Sequence, residues 1–69
     1  MRVNFNIFKG NVSWNALIHQ LNSDVLLRQV LIKGHVDSHN VNFSYCEKTC
    51  EGRIVNGNNE IIGNFSIPL

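Results

Sequence analysis

The chain has 69 residues, 43% of them hydrophobic and 16% charged, with a formal net charge of +1. That composition excludes a disordered tail, and the length fits one domain, residues 1 to 69, that buries only about 60% of its unfolded surface. The six basic residues (Arg2, Lys9, Arg28, Lys33, Lys48, Arg53) are spread along the chain, which argues against avid duplex binding, where several phosphates must be neutralised together.

Val3, Phe5 and Ile7 alternate with Arg2, Asn4 and Asn6, the period of a strand with one buried face. Lys9, Gly10 and Asn11 break the pattern. Trp14, Leu17, Ile18 and Leu21 then fall at i, i+3, i+4 and i+7, which predicts a short helix over residues 13 to 22 capped by Ser13. Residues 25 to 36 admit two readings. The β-branched Val30, Ile32 and Val36 favour a strand from about residue 27, while Ser23 as cap and Gly34 as terminator would suit a helix. The strand is preferred.

From residue 37 the pattern is a β-meander. Residues 37 to 40 form a turn, Val41, Phe43 and Tyr45 share a face, and Glu47, Lys48 and Thr49 make a three-residue loop. A Gly57-Asn58 turn would pair Ile54 with Ile61, Gly52 with Gly63 and Cys50 with Phe65. Ile61, Phe65 and Ile67 then line the core, with Arg53, Val55, Glu60, Ile62, Asn64 and Ser66 on the opposite face. The expected fold is α+β in the order β-α-β-β-β-β, one short helix on a mostly antiparallel sheet of about five strands. Its first two strands are parallel across a right-handed crossover.

Chemistry-bearing residues form no compelling constellation. His35, His39, Cys46 and Cys50 are ligand types that zinc accepts, but a strand from Val41 to Tyr45 would hold His39 and Cys46 about 20 Å apart. A disulfide between Cys46 and Cys50 would close a short loop and add only about 2 kcal/mol, so two thiols are expected. His19 has no nucleophile near it in sequence, and the five carboxylates are scattered. Neither a catalytic site nor a cofactor is therefore expected. Three Asn-x-Ser matches, at Asn11, Asn42 and Asn64, are what an Asn-rich chain produces by chance.

Apolar stretches at residues 25 to 27 and 30 to 32 are far too short to cross a bilayer. The alternating N-terminal segment does not resemble an export signal, so a cytoplasmic protein is expected. A helix of about ten residues covers only part of a five-stranded sheet, leaving Phe8, Leu31, Val55 and Ile62 on the uncovered face. This surplus points to a non-enzymatic interaction module, a homodimer or small oligomer using the open face or an edge strand. Leu31, Val55, Ile62 and Arg53 are the candidate interface residues. Single-stranded nucleic acid bound on the open sheet, through Arg53, Lys33, Lys48 and an outward aromatic, is the first alternative. A small ligand held between subunits is the second.

Overall fold

The computed structural model describes residues 1 to 37 and 40 to 68. Five strands and one helix follow in the order β1 (Arg2–Ile7), β2 (Val12–Leu17), α1 (Ser23–Lys33), β3 (Val41–Cys46), β4 (Glu51–Asn56) and β5 (Ile61–Ser66). They build one sheet of order β2-β1-β5-β4-β3 in which every neighbouring pair is antiparallel. The α+β class, the short helix and the five-stranded sheet are as expected. The helix and the second strand have exchanged places, and the parallel first pair is replaced by a hairpin.

Residues 12 to 17 are a strand because Gly10 and Asn11, both at positive φ (79° and 52°), turn the chain straight back on β1. Once the hairpin closes, the alternation of Val12, Trp14 and Ala16 counts, and these three lie half-buried against the core. The helix begins at Ser23, after a five-residue connection from the end of β2. Asn22 is its cap, accepting the Val25 N–H at 2.9 Å, with Asp24 in the first turn and Lys33 in the last favouring the helix dipole. Gly34 ends it with its N–H on the Val30 carbonyl. Leu26 and Val30, at i and i+4, go into the core; two well-capped ends and this pair outweigh the β-branched residues.

The helix covers one face of the sheet. Val3, Phe5, Ile7, Ile18, Leu26, Val30, Ile54 and Phe65 form the buried cluster. Within it the register sets a transverse row Trp14-Phe5-Phe65-Gly52-Tyr45. Phe5 stacks on Trp14 at 5.0 Å, and Tyr45 stacks on Phe65 at 6.0 Å across the glycine between them. The Trp14 indole N–H donates to Gln29 Oε1 at 3.1 Å, tying the helix to β2.

The last hairpin differs from its predicted register. Ile54 pairs with Gly63 and Gly52 with Phe65, after which Val55 meets Ile61 through a bulge. The loop takes residues 57 to 60, Asn56 Oδ1 accepting from the Asn58 and Glu60 N–H groups, so it is longer than the Gly57-Asn58 turn. Ile62 is the extra residue, and a bulge reverses which side chains face inward. Ile62 therefore packs against the core, while Ile61, expected inside, is 49% exposed. The β3–β4 loop likewise has four residues, 47 to 50, in place of three.

Candidate functional site

The open face reads differently once the register is in place. Ser13, Asn6, Asn64, Arg53 and Ser44 line up across all five strands, and Asn15, Asn4, Ser66, Glu51 and Cys46 form the next row. Ser13 Oγ donates to Asn6 Oδ1 within the first row. Two full rows of amides, hydroxyls and charges make this a water-facing surface, as one-sided antiparallel sheets commonly have.

The apolar surplus expected there shrinks to two corners, one of them Leu17, which alternation with Ser13 and Asn15 puts on this face, 73% exposed. Phe8 (47% exposed), Ile61 and half-buried Val55 border a shallow groove of about 680 Å³ that also takes in Arg53, Asn64, Ser44 and Cys46, or adjoin it in the case of Val55. Of the four candidate interface residues, Arg53 and Val55 do lie on the open face by strand alternation. Leu31 and Ile62 do not: Leu31 is half-buried on α1, and Ile62 is turned toward the core by the bulge.

Phe5, Phe43, Tyr45 and Phe65 all sit on the helix side, where ring-on-ring contacts occupy them. Arg53 stands in the open face, Lys33 at the end of the helix and Lys48 in the β3–β4 loop, so the three cations do not converge.

Cys46 is exposed on the open face and Cys50 is half-buried in the loop, both as free thiols. Cys50 occupies a left-handed conformation (φ 56°), and its Sγ–H donates to the Glu47 carbonyl at 3.6 Å. The Thr49 N–H, then the Thr49 hydroxyl and the Lys48 N–H, hold the Cys46 thiol below its ordinary value. Partial burial, followed by the hydrogen bond with Cys50, holds the Tyr45 phenol above its own. The thiols serve different surroundings, Cys46 bordering the open-face groove and Cys50 bonded toward Tyr45 and Glu47.

The zinc set is not assembled. His35 borders a hollow with Ile7, Val12, Val36 and Ile62, at the end of the sheet opposite Cys46 and Cys50, and His39 lies outside the described residues. Among the described residues no group of three or more His, Cys, Asp or Glu gathers around a common point. No described helix is long and apolar enough to cross a membrane.

The sequence pointed to an edge strand in general terms, and the strand order now shows which strands those are. β2 and β3 are the outermost strands, each six residues long, with the sequences VSWNAL and VNFSYC. Neither contains a charged residue or a proline, the devices by which edge strands usually repel further pairing. The signal was present in the sequence, but it acquires meaning only when the strand order shows which strands are outermost. Searches of protein-family models, curated proteins and solved structures found no match to this chain.

Proposed function

We propose that this chain is a non-enzymatic interaction module that works as a homodimer or small oligomer through an edge of its sheet. The observation carrying this reading is the pair of uncharged, proline-free edge strands, which offer unpaired backbone donors and acceptors with nothing to turn a partner away. The open face is largely polar, so of the two surfaces first considered, the open face and an edge strand, the edge is the better supported. Scattered titratable groups and a shallow groove support a binding role over a catalytic one.

Sedimentation velocity from low to high micromolar concentration tests the reading. A weight-average mass rising toward twice that of the 7.8 kDa chain is expected. A monomer throughout, with no partner chain added, ends it.

A further inference from the structure

Resting on that reading, we propose that the interface is the free edge of β2 and that its occupant is β2 of a second copy, paired antiparallel about a two-fold axis at Asn15. The direction of the backbone groups comes from one reciprocal contact. The Met1 amino group donates to the Ile18 carbonyl at 2.9 Å, and the Ile18 N–H donates to the Met1 carbonyl at 2.8 Å. Hydrogen-bonded and non-hydrogen-bonded pairs alternate along an antiparallel ladder. Val3–Ala16, Phe5–Trp14 and Ile7–Val12 therefore belong to the bonded class, which turns the N–H and C=O groups of Ser13, Asn15 and Leu17 outward.

A two-fold axis at Asn15 uses every one of those groups. Asn15 exchanges both bonds with Asn15 of the second copy, and Ser13 exchanges both with Leu17 of the second copy, on each side of the axis. Moving the axis by one residue would leave Leu17 or Ser13, according to the direction, outside the strand-to-strand ladder. On the helix side the same register sets the large Trp14 opposite the small Ala16 of the other copy, and no charge in Val12–Leu17 opposes its twin.

Neighbouring side chains also select β2 over β3. Leu17 and Ile32 are 73% and 69% exposed, the highest values among the large hydrophobic residues that stand out from the surface. Leu17 ends β2, and Ile32 follows Gln29 by three positions, on the flank of α1 that Gln29 ties to Trp14. Beside β3, by contrast, residues 21 to 23 and Leu26 share a hollow of about 430 Å³ with Phe43, Ser44 and Tyr45, and among the large hydrophobic side chains that stand out from the surface only Tyr45, 38% exposed, belongs to that strand. A strand about 20 Å long on a molecule with extents of 30 × 22 × 21 Å buries about 1,000 Å² in all, near the lower limit for a specific interface. The association is therefore concentration-dependent.

Residue-resolved amide exchange across a concentration series, alongside sedimentation, tests the proposal. The amides of Ser13, Asn15 and Leu17 should gain protection in step with the dimer fraction. Asn15→Pro removes an outward N–H and leaves the ladder to β1 intact, and it should weaken association by at least about tenfold. Asn15→Lys should do the same and decides the matter if the proline variant loses its native circular dichroism; Val55→Asp, on the open face, should leave association unchanged. A dimer whose three amides exchange as in the monomer, or one that survives Asn15→Lys, overturns the β2 edge while self-association stands. A wild-type monomer at every concentration overturns both.

Discussion

Gly52→Ala puts the packing of the aromatic row to a direct test. A methyl group at that position would lie 2.1 Å from Phe65 Cζ, 2.3 Å from Cε1 and 2.6 Å from the Ser44 carbonyl oxygen. Phe65 is 1% exposed and contacts the rings of Phe5, Phe43 and Tyr45, so its ring has nowhere to go without disturbing them. Overpacking of this kind costs about 1–3 kcal/mol, and weakening two ring pairs adds about 1–3 kcal/mol. Replacing a strand glycine returns about 0.5–1 kcal/mol by restricting the unfolded chain. The net loss is about 1–5 kcal/mol, a large part of the roughly 3–10 kcal/mol that a domain of this size has. Urea unfolding followed by the fluorescence of Trp14, the chain's single tryptophan, should show the midpoint falling by about 1 M or more. Gly57→Ala is the comparison, since the three atoms nearest its added methyl all belong to the side-chain amide of exposed Asn40 and not to a buried ring, and it should cost less than Gly52→Ala. Equal, small losses in the two variants would refute the stacking of Tyr45 and Phe65 across Gly52.

Three further outcomes follow from the geometry. Ile62→Asp should destabilise by about 2–4 kcal/mol and Ile61→Asp by less than about 1, because the bulge turns Ile62 to the core and Ile61 to water; the reverse order in thermal melts would remove the bulge. Cys50→Asn should raise stability by about 0.5–1 kcal/mol, asparagine tolerating the left-handed conformation better than cysteine, and a lower melting temperature would show that the thiol contact matters more than the backbone. Alkylation of Cys46 by iodoacetamide should reach half its maximal rate below the pH typical of a free thiol, since the Thr49 and Lys48 donors favour the thiolate. Thr49→Val should move that midpoint upward, and an unchanged midpoint would dismiss the Thr49 hydroxyl as a donor to Cys46.

The sequence revealed the sheet more readily than the helix. Val3, Phe5 and Ile7 alternate in a strand whose other face is fully polar, and all three are buried as expected. Residues 12 to 18 were ambiguous for a physical reason: Val12, Trp14, Ala16 and Ile18 fit a period of two, while Trp14, Leu17, Ile18 and Leu21 fit a period of 3.6. The tight turn at Gly10 and Asn11 decides between them, by delivering the segment beside β1 before any helix can start. Over residues 23 to 33 the local propensity of Val30 and Ile32 competes with the caps at Asn22 and Gly34, and the caps win because they act at both ends of the segment.

The interaction surfaces were legible only in part, because they are properties of register. Arg53 and Val55 could be assigned to the open face from alternation alone, but a single inserted residue at the β4–β5 bulge reverses Ile61 and Ile62, and no local pattern announces it. The ten residues of the two polar rows come from five strands distant in sequence, so their common face appears only when the strands are ordered. That same ordering constrains the means of association. With α1 filling one face and amides and hydroxyls covering the other, the uncapped backbone at the margins is the strongest unsatisfied valence left on the sheet. At β2, the outward amides of Ser13, Asn15 and Leu17 alternate with inward Trp14 and Ala16 of unequal size, and only a partner strand running the opposite way can meet both demands at once.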